Sequence, residues 1–494
     1  MHWQNIERQD WGGLSCIYLY YLVLFIYSFY PRQTCQHTSP LFRCYNFAVT
    51  INCRMKKVLI IPSNTDLNRG DQALIWESAH LAESLFKDEP IEVFLMDSDN
   101  EDQVCQTKEL GYKLISPILK HPSRIYDNHK VGYDLLTLLL WGGCALYDYL
   151  RTRLLITKFE CVNKFAMCLF NREERKSIKL FKECDAVFVK GGGFLHSYGK
   201  ITDPYQFYYY LFDYKLATHY KKPVVLLPNS IGPLKNKIAK RMLEKTLNKC
   251  SLVYTRESVS QEYLDSTTVI KARQSLDLAF YQTSDKKDYV GYLKNNGVDI
   301  NNKNIAITLR PYRFPESENS KEHYNAYCQS IRGFIIFARE MGFYVTMVAH
   351  TLGPSAHEND CDAIEDVLSI CKDIDGITYI NDKSLTCREL QKVYSYFDCV
   401  VGTRFHSVIF ALNSLVPTVA ITYGGNKGKG IMKDLGLSEY SLPIEEVSAE
   451  KLDAIFSSLM DNKHKFKQKV NDLLQKATDE RNLVLSELQK ALNV

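Results

Sequence analysis

Two apolar patterns alternate along most of this chain. Continuous apolar runs of about four to eight residues are separated by longer stretches in which apolar residues recur with helical spacing. Such runs are typical of parallel strands buried on both faces, and their alternation with helices indicates an α/β fold. The predicted strands are 58–62, 91–96, 186–190, 224–228, 252–256, 305–310, 344–350, 399–404 and 418–423. The predicted helices include 71–86, 235–249, 324–341, 387–396 and 406–414.

A polar stretch rich in Asn and Lys, at about 281–303, interrupts this alternation and predicts a domain boundary. The pattern therefore predicts two doubly wound, Rossmann-like domains, at 55–284 and 301–445. Residues 447–494 read as charged amphipathic helix. We expect this tail to cross back and brace the first domain.

Residues 1–54 differ in character from the rest of the chain. They contain an uncharged apolar run at 14–30, which is at the lower limit of length for crossing a bilayer. Three interpretations remain open for this segment: an upstream extension that the working protein lacks, a membrane anchor, or a packed helix. Met55 then opens a sequence of two lysines and an apolar strand, as is typical of the start of a cytosolic protein.

Composition narrows the class of protein. The 494 residues carry 61 Lys and Arg against 57 Asp and Glu, and this net charge of +4 argues against a protein whose main partner is nucleic acid. The 15 cysteines are odd in number and include no Cys-x-x-Cys pair, so we expect most to be reduced packing residues of a cytoplasmic protein. No zinc motif occurs in the chain, and we expect no metal site.

Polar clusters follow the predicted strands of the first domain, at the sheet edge where open parallel sheets bind ligands. Asp71 lies just before a predicted helix, as a simple N-cap or as a group facing a substrate. The three glycines Gly191, Gly192 and Gly193 predict a sharp strand-to-helix turn with close backbone approach, for packing or for a ligand. His196 could be a surface residue or a sugar contact. Asn229 is predicted to be exposed at a strand end.

The second domain offers a sharper cluster in GTRFHSVIFAL. Arg404 and His406 are two residues apart, so on an extended segment both side chains point to one side. His406 and Ser407 begin a predicted helix, whose free N–H groups favour an anion. Arg310 ends another strand, and Lys427 and Lys429 lie in a later glycine-rich segment. Surface salt bridges would explain each cation singly, whereas together they predict a phosphate or carboxylate site.

The order of these motifs resembles the polysaccharide pyruvyl transferase family. The resemblance covers about residues 55–440 and rests on VKGGGFLH, LPNSIGPL, YTRES and, most specifically, GTRFHSVIFALNSLVPTVAITY. It implies a GT-B-like fold and transfer of pyruvate from phosphoenolpyruvate to two sugar hydroxyls as a cyclic ketal. By position, Arg404 and His406 match the donor-binding Arg-x-His of the family, and Arg310 matches a second donor arginine. The family also has a lysine after the tyrosine that ends a strand, and either Lys427 or Lys429 matches it.

Phosphoenolpyruvate carries a phosphate and a carboxylate, so the cationic cluster suits it, and His406 is a candidate general acid. The resemblance implies a saccharide or lipid-linked oligosaccharide as acceptor and no cofactor beyond the donor. A glycosyltransferase that uses a nucleotide sugar and a non-catalytic carbohydrate-binding relative remain alternatives. An apolar insertion at about 133–156 departs from the family pattern, and packing, dimerisation or peripheral contact with the inner face of a membrane would each account for it.

Overall fold

The computed structural model describes residues 54–63, 65–98, 100–120, 135–315, 317–353, 359–423 and 426–494. The segment 1–54 therefore lies, apart from Arg54, outside the described residues, as does the apolar run at 14–30. Residues 55–494 form one compact unit.

The first sheet contains eight parallel strands within the described residues. They are β1 (Lys56–Ile61), β2 (Ile91–Met96), β3 (Lys113–Ile115), β4 (Ala186–Val189), β5 (Gly192–Ser197), β6 (Val224–Leu234), β7 (Leu252–Thr255) and β8 (Arg273–Gln274). Their order is β3-β2-β1-β4-β6-β7-β8, with β5 paired to β6 beside this path. Sequence order therefore reverses between β1 and β4, which places a topological switch point there.

The second sheet contains six parallel strands within the described residues. They are β9 (Lys303–Thr308), β10 (Phe343–Val348), β11 (Ile377–Ile380), β12 (Cys399–Gly402), β13 (Thr418–Thr422) and β14 (Ser441–Pro443). Their order is β11-β10-β9-β12-β13-β14, so the switch point lies between β9 and β12. Most strand residues are fully buried, as the continuous apolar runs predicted.

Helices cover the faces of both sheets. Along the first part of the chain they are α1 (Arg69–Leu85), α2 (Cys105–Glu109), α3 (Leu135–Leu155), α4 (Glu160–Ala166), α5 (Arg172–Glu183), α6 (Asp203–His219), α7 (Lys237–Leu247) and α8 (Ser258–Thr267). Further along they are α9 (Val290–Asn295), α10 (Ser320–Glu340), α11 (Asp360–Ile370), α12 (Cys387–Tyr394), α13 (Phe405–Asn413), α14 (Asn426–Asp434), α15 (Ala449–Asp461) and α16 (Lys463–Leu492). Within the described ranges, no helix combines the length and apolarity needed to cross a membrane.

The two sheet domains are joined by hydrogen bonds around the start of α1. The backbone N–H of Leu352 donates to the carbonyl of Leu67 at 2.9 Å, and the guanidinium of Arg69 donates to the carbonyl of Lys383 at 2.7 Å. The side-chain carbonyl of Gln72 accepts from the backbone N–H of Cys387 at 2.6 Å. These bonds fix the carboxyl edge of the first sheet against the second domain.

The C-terminal tail forms α15 and α16, and α16 runs back along the first domain. Glu480 accepts a hydrogen bond from the backbone N–H of Leu276 at 2.6 Å, and Glu487 accepts one from the hydroxyl of Tyr254 at 2.5 Å. Arg481 donates to Ser84 of α1 at 3.0 Å. The tail therefore holds both α1 and the chain that follows β8.

Candidate functional site

Two helix starts face each other across the cleft between the domains. Helix α1 begins after the first strand of the first sheet, and α13 begins after β12, beside the switch point of the second sheet. The N-cap of α1 is Asn68, whose side chain accepts from the backbone N–H of Asp71. The prediction that Asp71 precedes the helix is therefore wrong, because Asp71 already lies in its first turn.

His406 projects from the first turn of α13 against α1. A Cβ atom at Gly70 would lie 2.1 Å from its Nδ1 atom, so this contact requires glycine. The Nε2 atom of His406 lies 3.8 Å from Oδ2 of Asp277, at ion-pair rather than hydrogen-bond distance, and has no hydrogen-bond partner among the described residues. The side chain is 18 % exposed, although its Nε2 atom is buried.

Asp277 is completely buried and belongs to an internal charged network. Its Oδ1 caps a short 3₁₀ turn at Leu278–Tyr281, and its Oδ2, the oxygen nearest His406, also accepts from the guanidinium of Arg256 at 2.7 Å. Burial alone would raise its pKa, but His406 and Arg256 together hold the pKa of Asp277 below its ordinary value. The carboxylate is thus ionised and supplies a fixed negative charge behind the imidazole.

Arg256 extends this network away from the cleft. Its Nε donates to the hydroxyl of Ser230 at 2.7 Å, and that hydroxyl donates to Glu257 at 2.8 Å. Burial opposes the charged form, but Asp277 and Glu257 raise the pKa of Arg256 above its ordinary value. The network keeps the carboxylate behind His406 in one orientation.

Arg404 is the N-cap residue of α13 and is almost completely buried. Its Nε donates to Oδ1 of Asp360 at 2.7 Å. Asp360 also accepts from the backbone N–H groups of His350 and Thr351, at 3.1 and 2.8 Å. Burial raises the pKa of Asp360, although the arginine acts in the opposite direction. The carboxylate therefore anchors one edge of the guanidinium and fixes its plane.

Arg310 follows β9, on the other side of the switch point. Its guanidinium carbon lies 3.9 Å from the ring centroid of Tyr423, a cation–π contact. Burial acts to raise the pKa of Tyr423, but Arg310 and Arg404 together lower it below its ordinary value, so both cations act on this one hydroxyl. The Nε atom of Arg310 is buried without a hydrogen-bond partner among the described residues.

The geometry corrects the prediction that Arg404 and His406 share one side of an extended segment. The helix begins at Phe405, and the two side chains turn to different carboxylates. Ser407 is fully buried, and its hydroxyl donates to the carbonyl of Arg404 at 2.6 Å and contacts Thr308 at 2.8 Å. Its position serves the geometry of the helix start rather than the cleft surface.

Within the residues that it describes, the structure gives no contacts for the two predicted lysines of the glycine-rich segment. Lys429 is exposed on α14, and the side chain of Lys427 lies outside the described part of the chain. Both remain predictions. The helix itself contacts the first domain, because Asp434 accepts from the backbone N–H of Ser258 at 2.6 Å.

The three glycines of the first domain lead into strand β5, so the predicted strand-to-helix turn is wrong. The predicted close approach is present, since a Cβ at Gly191 would lie 2.8 Å from the carbonyl oxygen of Pro228. Gly192 has a φ of +152°, which residues other than glycine rarely adopt. The carbonyl oxygen of Gly193 lies 3.0 Å from Nδ1 of His196, at hydrogen-bond distance. These glycines allow β5 to pack beside β6.

Asn229 is completely buried within β6, and the prediction that it is exposed at a strand end is wrong. Its amide nitrogen donates to the carbonyls of Lys190 and Leu227, at 3.0 and 2.9 Å.

The side chain of Asp71 is 31 % exposed, and its carboxylate lies 3.6 Å from the ammonium of Lys190. His196 is half-buried, with its ring against Tyr198. These residues stay candidates for the acceptor side.

Four residues around the cations escaped the sequence analysis: Arg256, Asp277, Asp360 and Tyr423. Arg256 lies within the YTRES motif and Tyr423 directly follows β13, so position at a strand end was an available signal for both. Asp277 and Asp360 follow no motif. Among the described residues, no group of three or more His, Cys, Asp or Glu side chains is placed to hold a metal ion.

The fold and the site together define a two-domain, GT-B-like enzyme with a cationic cleft between its parallel-sheet domains. Residues 68–425 match the family model described as polysaccharide pyruvyl transferase. The chain belongs to this family, is a transferase, and has a role in polysaccharide biosynthesis.

Relatives agree with this placement. The chain is 26 % identical over 322 residues to the amylovoran biosynthesis protein AmsJ of Erwinia amylovora, which covers 63 % of this chain and 74 % of AmsJ. A Listeria monocytogenes protein described as a UDP-N-acetylglucosamine 2-epimerase shares the fold with a TM-score of 0.52 at 13 % identity, covering 88 % of this chain and 95 % of that one. The S. aureus MnaA–UDP co-structure gives a TM-score of 0.52 at 11 % identity, covering 89 % and 97 %. The two structures establish the likeness of fold alone.

Proposed function

We propose that this enzyme transfers pyruvate from phosphoenolpyruvate to two hydroxyls of a saccharide, forming a cyclic ketal and inorganic phosphate. One observation carries the proposal: the guanidinium carbon of Arg310 lies 3.9 Å from the ring centroid of Tyr423, and Arg404, at the start of α13, acts on the same tyrosine. Two guanidinium groups that converge on one side chain near a helix start suit a small ligand with two anionic groups. Phosphoenolpyruvate is such a ligand.

We assign the donor's anionic groups to the two arginines. Arg310 has a buried Nε without a partner among the described residues, and it is the stronger candidate for a new anion contact. Arg404 is held in plane by Asp360 and supports the same anion from the helix start. Lys427 and Lys429 are further candidates for the phosphate. The donor brings its own leaving group, and the proposal requires neither metal nor cofactor.

Ketal formation begins with a proton on the methylene carbon of the donor. We assign His406 as the acid, because its Nε2 has no hydrogen-bond partner among the described residues and lies 3.8 Å from the carboxylate of Asp277. The first sugar hydroxyl adds to the carbon that bears the phosphate and gives up its proton. The phosphate then leaves with the electrons of its C–O bond, and the second hydroxyl adds to the same carbon, losing its proton to close the ring.

The acceptor enters from the first domain in this proposal. Asp71 is part-exposed at the start of α1 and is a candidate base, with His196 as the alternative. The family description, polysaccharide pyruvyl transferase, supports a saccharide as acceptor, and we propose a cell-envelope polysaccharide or its lipid-linked precursor. We place this reaction in the cytoplasm, at the inner face of the membrane.

A nucleotide-sugar glycosyltransferase is the second candidate function. It is favoured by the fold it shares with MnaA, whose structure contains UDP. Such an enzyme would bind a nucleoside diphosphate at the second-domain cleft and would not use phosphoenolpyruvate.

Calorimetry and turnover together test the proposal. The full chain is titrated with phosphoenolpyruvate and with UDP, and phosphate release is measured with a panel of sugars and lipid-linked oligosaccharides. We expect phosphoenolpyruvate to bind and to lose phosphate only with an acceptor. Tight binding of UDP without binding of phosphoenolpyruvate would overturn the proposal.

The variant His406→Gln tests the acid. We expect donor affinity to stay within several-fold while turnover falls by about two to four orders of magnitude. His464→Gln, at an exposed position of α16, is the matched control and should leave both unchanged. Equal loss of binding and turnover in His406→Gln would make the imidazole a donor contact only.

A further inference from the structure

Helix α3 is packed with its polar side chains toward the protein. Arg151 donates from Nε to Asp148 at 2.8 Å and from Nη1 to both oxygens of Glu174 at 3.1 Å, and all three side chains are buried. Thr152 is also buried, with its hydroxyl 2.7 Å from that of Tyr208. These buried polar side chains hold α3 to α5 and α6.

The opposite face of α3 is apolar and exposed. Its exposed side chains are Leu136, Leu139, Leu140, Leu146, Tyr147, Tyr149, Leu150 and Leu154. Apart from Tyr149, they are related by intervals of three, four or seven residues and so lie along one side of the helix, with a break at Gly142 and Gly143. A folded protein normally turns such a stripe inward, and an exposed stripe of this size marks a surface that meets an apolar partner.

Helix α4 packs against α3 and adds exposed apolar side chains to this part of the surface. Phe159 just before it is 70 % exposed and Phe165 within it is 64 % exposed. We call the exposed side chains of α3, Phe159 and Phe165 the leucine face. Exposed leucine and aromatic side chains are typical of helices that lie in the plane of a membrane surface.

Cations border the leucine face. Arg153 is exposed on α3 itself, next to the exposed Leu154. Lys158 is a further exposed cation between α3 and α4. This grouping of positive charge beside apolar side chains complements anionic headgroups.

We propose that the leucine face docks this enzyme onto a bilayer surface that contains anionic lipids. The apolar stripe enters the boundary between headgroups and acyl chains, and the bordering cations meet the headgroup phosphates. The docking is peripheral, because α3 carries its ion-paired face toward the protein. The proposal is independent of the transfer chemistry, since no residue of the catalytic cleft belongs to the leucine face.

Vesicle sedimentation tests the proposal with the full chain. We expect binding to vesicles of phosphatidylcholine mixed with phosphatidylglycerol, weaker binding to phosphatidylcholine alone, and loss of binding at high salt. The double variant Leu146→Glu/Leu150→Glu should lower the partition coefficient on the mixed vesicles at least about tenfold, with an unchanged thermal melt. Leu483→Glu, at an exposed leucine of α16, is the matched control and should bind as the wild type does.

Three results would overturn the proposal. The wild type could fail to bind the mixed vesicles, or the double variant could retain full binding, which would assign the attachment to another segment such as 14–30. A wild-type dimer that light scattering shows to be lost in the double variant, without any lipid binding, would make a second copy of the chain the occupant.

Discussion

The imidazole of His406 and the carboxylate of Asp277 lie 3.8 Å apart, and they come from opposite domains. His406 lies in the first turn of α13, which follows β12 of the second sheet, whereas Asp277 follows the last strand of the first sheet. His406 and the carboxylate of Asp277 therefore come together only when the two domains are docked, and the hydrogen bonds around α1 hold the domains in that arrangement.

Asp277→Asn tests the buried charge through stability. The ionised carboxylate pairs with Arg256 in full burial, so we expect the variant to lose about 3 kcal/mol of unfolding free energy at pH 7. The pKa of Asp277 is below its ordinary value in the folded state, so its contribution is present above the unfolded pKa and is lost as the pH falls through the folded pKa. Urea unfolding should show the gap between variant and wild type narrowing below about pH 4.

The control for this measurement is Asp88→Asn, an exposed carboxylate, which should match the wild type at each pH. A gap that stays constant across this pH range would contradict the assignment of the charge to Asp277.

Arg404→Lys keeps the charge but removes the planar fork. An ammonium cannot hold both Asp360 and a donor oxygen in the geometry of the guanidinium. We expect the dissociation constant for phosphoenolpyruvate to rise about 10- to 150-fold by calorimetry, as for loss of a charge-assisted pair. Arg332→Lys on α10, where the guanidinium pairs with Asp373 at the surface, should leave the constant unchanged. An unaltered constant in the first variant would place Arg404 outside the donor site.

Gly70→Ala probes the contact between the two helix starts. Because the added methyl would overlap the ring of His406, either the imidazole or α1 must move. We expect a loss of about 1–3 kcal/mol in stability and a larger loss of turnover than of donor affinity. Gly291, which is also helical, is the control, because a Cβ atom there would have no neighbour within 4 Å. Gly291→Ala should therefore be neutral or slightly stabilising. Wild-type turnover in Gly70→Ala would show that the observed position of His406 is not needed.

Glu480→Ala tests whether the tail supports the site. Its carboxylate accepts from the backbone N–H of Leu276, the residue before Asp277. Loss of this acceptor should cost about 1–3 kcal/mol in urea unfolding and should lower turnover. Asp479→Ala, at a neighbouring exposed position, is the control. Identical stability and turnover of the two variants would show that Glu480 does not support the site.

The sequence predicted the central strands well, because continuous apolar runs have few other uses in a chain of this composition. It missed β3, β8, β11 and β14, which are short edge strands without such runs, and β5, because its glycines were interpreted as a strand-to-helix turn. It also ended β6 too early, because Gly232-Pro233 reads as a turn, while the strand continues to Leu234.

The site was predictable only where one segment carries it. Arg404 and His406 lie within a single strand-to-helix segment and were found together. Asp360 and Asp277 are 44 and 129 positions away along the chain from the side chains they meet, and no local pattern marks them. The burial of Asn229 in β6 was missed for the same reason, because its side chain bonds to the carbonyl of Lys190, which follows β4 and is 39 positions away along the chain.

The isotopic composition of the product tests the central claim most directly. The enzyme is incubated in D₂O with phosphoenolpyruvate and an acceptor saccharide, and the modified saccharide is analysed by mass spectrometry and NMR. If phosphoenolpyruvate is the donor and its methylene carbon is protonated during transfer, the product carries a pyruvate ketal whose methyl group contains one deuterium. A saccharide modified only when a nucleotide sugar is supplied, with phosphoenolpyruvate left intact, would contradict the account.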